Sequence, residues 1–415
     1  MIERTRKILI AVVMLMVGGL LGSCGSSRQH HTRKNVDTGK WVGTWATAPQ
    51  LVEPNNMPPE PGLAHNTIRQ IVRVSMGGEK LRLRFSNAFS KEPVTMKTVA
   101  VAVAKEGSLI DPSTQQILKF NGAEAVTMPP SGEGYSDPLD FTLAPGSTLA
   151  ITIYFGDTSP GTTGHPGSRT TSYLLAGNQI GSADFAGAVA TDHWYVINSI
   201  EVMAGAGAFA IAALGNSITD GRGSGTNKQN RWTDILSQQL LTNKDTKNIG
   251  VLNLGIGGNC VLRGGLGPTA LNRFDRDILS QSSVKWLLIL EGINDIGGIR
   301  NTESAPRVAR ELIEAYSLMA DKAHARGIKV YGCTILPFGE SFYDTPFRQQ
   351  ARDTVNEWIR TTDKFDAVID FDKIMRNAGD IKKINPDLHD GDMLHPNQAG
   401  YKKMGEAIDL NLFTK

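Results

Sequence analysis

The sequence predicts two architectures in one chain: a β-sandwich over residues 41–204, then an α/β domain over 205–415 whose parallel sheet carries helices on both faces. Three observations lead there. The first half alternates apolar and polar residues with period two, between clusters of Gly, Pro and Ser. The second half alternates short apolar runs with longer helix-period segments, the pattern of β-α repeats and a parallel sheet. Finally, 415 residues exceed what one core usually organises.

In the first half, strands are expected at Ile68–Val74, Lys80–Phe85, Val99–Val103, Ala150–Phe155 and Trp194–Ile200, with no helix among them. In the second half, strands are expected at Phe209–Leu214, Ile249–Leu254, Trp286–Leu290, Ile328–Ile335 and Ala367–Phe371. Helices are expected between them at Arg231–Leu241, Thr269–Leu279, Ser304–Arg326 and Thr345–Thr362. Ser304 is a good cap and Gly327 a good terminator for the longest of these. A last helix follows Pro396, a residue suited to a first helical turn.

The chain opens with Arg4, Arg6 and Lys7, an apolar run from Ile8 to Leu21, and then Gly22-Ser23-Cys24. A basic start, a short apolar core and small residues before a cut describe an export signal, and the run is short for a bilayer span. Residues 1–24 are therefore expected to be a signal peptide. Leu21-Gly22-Ser23-Cys24 resembles a bacterial lipobox, which implies lipidation of Cys24 and a periplasmic or cell-surface lipoprotein. Residues 25–40 are polar, with His30 and His31, and are expected to be a flexible tether rather than a metal site. A formal charge of +2 argues against nucleic acid as a partner. Cys260 and Cys333 each adjoin an apolar run and suit small core residues; whether they pair stays open.

Open parallel sheets gather their chemistry at the carboxyl ends of the strands. Gly215-Asn216-Ser217-Ile218-Thr219-Asp220-Gly221 follows the first strand of the second half. Gly255-Ile256-Gly257-Gly258-Asn259 follows the next, and Glu291-Gly292-Ile293-Asn294-Asp295 the third. Asp392-Met393-Leu394-His395-Pro396 falls in the loop before the last helix. A serine at a strand end with a distant Asp-His pair is the raw material of a hydrolytic triad.

These blocks, in this order, resemble the SGNH or GDSL-type hydrolases over roughly Ala208 to the end. Trp41-Val42-Gly43-Thr44-Trp45-Ala46-Thr47-Ala48-Pro49 further resembles a two-domain subgroup related to xylan esterases. The resemblance implies a flavodoxin-like, three-layer hydrolase domain with Ser217 as nucleophile, His395 as base and Asp392 orienting it. It implies an oxyanion hole of the Ser217 and Gly258 backbone N–H groups and the Asn294 amide. Asn216 departs from the family, which usually has aspartate there. Asp295 is expected to hold neighbouring loop amides. The implied activity is a serine esterase needing no metal or organic cofactor, removing acyl (above all acetyl) groups from plant cell-wall polysaccharides. The membrane enters only through the lipid anchor; the oligomeric state is left open.

The same blocks suit a lipase or a general short-chain esterase. A carbohydrate-binding lipoprotein with an inert hydrolase domain is the reading from another class. Gly205-Ala206-Gly207-Ala208 imitates a dinucleotide fingerprint but precedes a strand, not a helix. No Gly-x-Ser-x-Gly elbow surrounds Ser217. His165-Pro166-Gly167-Ser168-Arg169 is read as a surface turn, and Trp41, Trp45 and Trp194 as core tryptophans.

Overall fold

The strand at Phe209–Gly215 lies inside a five-stranded parallel sheet ordered Ile249–Gly255, Phe209–Gly215, Val284–Leu290, Lys329–Cys333, Ala367–Ile369. The chain thus runs outward to one side of its first strand, then crosses back to build the other. Such a reversal leaves a crevice at the strand ends, where open α/β sheets hold their ligands. This computed structural model describes residues 39–414. The expected signal segment, Cys24, and the tether with His30 and His31 lie outside the described residues.

The helices Trp232–Thr242, Ala305–His324, Pro346–Thr361 and Gln398–Glu406 flank the sheet. The amphipathic Ala305–His324 helix buries Val308, Leu312, Ala315 and Met319 along one stripe. Thr345 caps the next helix by accepting the Arg348 N–H. One expected helix, Thr269–Leu279, is a single α turn from Ala270 to Phe274 that widens into a π-helical turn over Asp275–Leu279. That widening accompanies the burial of Arg273 and Asp277.

The first half is antiparallel. One sheet sets Lys40–Ala46 beside Ile197–Ala204 and Gly78–Ser86, and another centres on Thr67–Arg73, Thr148–Phe155 and Val94–Val103. A small third sheet joins Gln50–Leu51, Thr163–His165 and Trp194–Tyr195. The strand expected at Trp194–Ile200 is broken at Val196, whose φ of 67° redirects the chain from the small sheet into the first.

One core cluster runs through both halves, and the described residues form one compact unit. The outer strand of the parallel sheet, Ile249–Gly255, is covered by the Lys40–Ala46 strand. The Ser75 hydroxyl oxygen accepts the Val251 N–H at 2.9 Å, so this sheet edge is not left bare. Trp45 and Trp194 meet edge to face at 5.0 Å and are buried, while Trp41 is partly exposed under Arg82.

Candidate active site

Gly215 ends the first parallel strand where nothing larger fits, since a Cβ there would lie 2.1 Å from the Thr219 hydroxyl. The chain turns at once into a short helix, Ser217–Asp220, capped by Asn216, whose side-chain oxygen accepts the Ile218 N–H. Ser217 is therefore the first residue of a helix seated on the strand end.

The second participant arrives on the loop before the last helix. Asp392 Oδ1 accepts the backbone N–H groups of Leu394 and His395, at 3.0 and 2.8 Å, folding the loop back on itself. Its Oδ2 sits 2.6 Å from His395 Nδ1. The other ring nitrogen, Nε2, lies 2.8 Å from Ser217 Oγ. These loop hydrogen bonds hold the Asp392 carboxyl below the usual carboxylate range even though burial opposes them. An ionised carboxylate only accepts, so Nδ1 carries the ring proton and Nε2 receives the serine hydroxyl. Burial lowers the His395 pKa, Asp392 opposes that, and Arg222 and Arg169 push it further down.

Gly258 has φ +69°, a conformation that favours glycine, and it turns the loop after the second strand. Among the described residues the N–H groups of Ser217 and Gly258 have no protein acceptor. Asn294 is held from two sides. Its Nδ2 donates to the Asn259 carbonyl at 2.8 Å, and its Oδ1 accepts the Tyr343 hydroxyl at 3.0 Å. One amide hydrogen of Asn294 remains for another acceptor. Asp295 accepts the Val261 and Leu262 N–H groups, at 2.8 and 2.9 Å, the loop-holding contact expected of it. Cys260 and Cys333 are both free and buried.

Beneath these loops lies a polar layer that sequence reasoning missed. Arg273, fully buried, donates to the carbonyls of Gly215 and Leu254 at the ends of two parallel strands, and to Asn259 Oδ1. It approaches Asp277 at 3.2 Å and Glu291 at 3.6 Å. Burial outweighs the attraction of Arg273 and lifts the Glu291 carboxyl to about 8. Asn216 Nδ2 donates to Glu291 Oε2 at 3.2 Å. The departure at 216 thereby acquires a physical reason: an aspartate there would set a second carboxylate against Glu291.

His165-Pro166-Gly167-Ser168-Arg169 is not a surface turn. His165 and Ser168 are buried, and His165 Nε2 lies 2.8 Å from Asp220 Oδ1 while its Nδ1 donates to the Ala48 carbonyl. Arg231 ties the same pieces together, donating to the carbonyls of Asp220 and Ser168. Polar composition argued for exposure, and no period-two or period-3.6 signal marks this loop as buried.

The geometry meets an independent finding here. Residues 213–403 match the GDSL-like Lipase/Acylhydrolase family. That stretch is a domain of this family. It is a carboxylic ester hydrolase domain with the family's parallel sheet and helices. Solved structures similar to this acylhydrolase include a member of the lipolytic protein G-D-S-L family from Veillonella parvula, at 21% identity over 50% of this chain and 100% of that one, TM-score 0.37. A GDSL-like lipase from Bacteroides thetaiotaomicron is 22% identical over 49% of this chain and 87% of that one, TM-score 0.34. An acetyl xylan esterase from Geobacillus stearothermophilus is 19% identical over 48% of this chain and 92% of that one, TM-score 0.38. No match was found among curated proteins.

Proposed function

We propose that this acylhydrolase is a serine esterase removing short acyl groups, above all acetyl, from polysaccharides. The observation that carries the reading is the unbroken hydrogen-bonded chain from Asp392 through His395 to Ser217, with links of 2.6 and 2.8 Å. Ser217 Oγ attacks the ester carbonyl while His395 Nε2 takes the hydroxyl proton. Asp392 stabilises the resulting imidazolium through Nδ1. The carbonyl oxygen, now an alkoxide, meets the N–H groups of Ser217 and Gly258 and the remaining amide hydrogen of Asn294. Collapse expels the sugar hydroxyl, protonated by His395, and leaves an acyl-serine. Water, deprotonated by His395, releases the carboxylic acid and restores Ser217.

The preference for a short acyl group and a polar carrier rests on the cleft beside Gly258 and Asn294. Beside Leu262, Ile299 and Val308, this cleft presents Arg263, Arg300, Asn301 and Ser304, groups that a wholly apolar acyl-chain tunnel would not carry. Leu266 and Phe342 are exposed nearby, but as separate side chains rather than a broad apolar rim. For the leader, we propose export and anchoring through Cys24.

The test is hydrolysis of p-nitrophenyl acetate and acetate release from acetylated polysaccharides by the purified chain. Activity that persists in Ser217→Ala would end the mechanism. Turnover that rises with acyl length from acetate to decanoate would favour a lipase.

A further inference from the structure

The cleft that opens on the oxyanion donors carries an excess of positive charge that the ester chemistry does not use. Gly258 and Asn294 line it together with Arg263, Arg300 and Arg307, among smaller and apolar residues. Two of the three share a single carboxylate: Arg263 and Arg307 both donate to Glu311. Arg300 is exposed and makes no ion pair among the described residues. Asp295, the acid in the lining itself, spends both oxygens on the Val261 and Leu262 N–H groups and is buried. The chain as a whole is nearly neutral, at +2, so this concentration is local. Arg169 and Arg222 also lie close enough to His395 to act on its charge.

We propose that the cleft is a subsite for a carboxylate on the acylated polymer, so that the preferred substrate is an acylated polysaccharide containing uronate residues. This rests on the esterase reading above and narrows its substrate class. A guanidinium fork matches a carboxylate with two parallel donors, a geometry that neutral xylose or glucose hydroxyls do not call for. Arg300 is the unpaired donor, and Arg307 can turn from Glu311 at the small cost expected of an exposed ion pair. Arg263 lines the same cleft and shares Glu311 with Arg307.

The experiment compares kcat/KM for acetate release from acetylated polygalacturonate and from acetylated neutral xylan, matched in acetyl content. The ratio of anionic to neutral polymer is the readout, because loss of folded protein lowers both and cancels. The ratio is expected to exceed one for the unaltered chain, and to fall as salt is raised through the range that screens surface charge. Arg300→Glu and Arg307→Glu are expected to reduce it by about tenfold each, as loss of a charge-assisted contact does. A ratio at or below one, or one unmoved by both substitutions while both polymers are deacetylated, overturns the subsite. Failure to release acetate from either polymer or from p-nitrophenyl acetate would instead strike the esterase reading itself.

Discussion

Nε2 of His165 lies 2.8 Å from Oδ1 of Asp220, joining the antiparallel half of the molecule to the helix that begins at Ser217. Both side chains are buried, with relative exposures of 3% and 2%. The ring also donates to the Ala48 carbonyl and stacks on Trp194. The first half of the chain is therefore part of the support of the helix that presents Ser217.

His165→Ala leaves the Asp220 carboxylate buried opposite a void, with only the Arg169 guanidinium at 3.6 Å. Breaking a buried pair from one side costs about 3–5 kcal/mol. The expected outcome is a clear drop in the urea midpoint and a loss of esterase activity. Adding Asp220→Asn to His165→Ala removes the stranded charge and should recover much of the stability. A double variant no more stable than the single one would show that the pair contributes packing and not charge compensation.

Tyr343 holds the Asn294 amide from within the same cleft. Its hydroxyl is the partner that fixes which end of the Asn294 amide points toward the Asn259 carbonyl and which toward itself. Tyr343→Phe frees the amide to rotate and should lower kcat by about tenfold, short of the hundredfold or more lost with a whole oxyanion donor. KM should change little, since the effect falls on the transition state. In an Asn294→Ala background the same substitution should cost almost nothing further. Additive losses in the double variant would separate Tyr343 from Asn294.

Much of this arrangement was legible in the sequence for a simple reason. Ser217, Gly258 and Asn294 each sit just past an apolar strand, and a parallel sheet necessarily brings those ends together. His395 and Asp392 are three residues apart, within the reach of one turn. The buried layer was not legible, because its members earn their places through tertiary contacts. Arg273 sits in a segment whose periodicity reads as ordinary helix, yet it serves two strand ends and Glu291. The loop from His165 to Arg169 looked polar and therefore exposed. Its burial depends on Asp220, fifty-five residues onward. Val196 gave no glycine or proline signal for the break at its positive φ.

The pH profile follows from His395. Burial and the nearby Arg222 and Arg169 lower its pKa from the ordinary value of 6.5. The base is active when neutral, so kcat/KM should rise with pH through an acid limb centred below 6.5 and stay level through neutrality. Arg222→Gln removes one cation, so the protonated ring becomes less costly and the acid limb should move to higher pH. Adding salt should move the unaltered profile in the same direction. An acid limb that is unchanged by Arg222→Gln would place the titration on another group.

Asn216→Asp would restore the residue usual at this position in the resembling family, and here it should destabilise. Glu291 already has its pKa raised to about 8 by burial, and Asn216 Nδ2 is one of the donors that eases its ionisation. A carboxylate raised in the folded state favours folding below its unfolded value, near 4.5, and loses that contribution as pH climbs through about 8. A second acid at 216 replaces a donor by a like charge, so the pair resists ionising further and the loss of stability should grow with pH. The unfolding temperature of Asn216→Asp should therefore fall below that of the unaltered chain by a wider margin at pH 9 than at pH 6. Glu291→Gln, added to Asn216→Asp, should narrow the margin at pH 9. A deficit independent of pH would trace it to the cap on Ile218 rather than to the meeting of two acids.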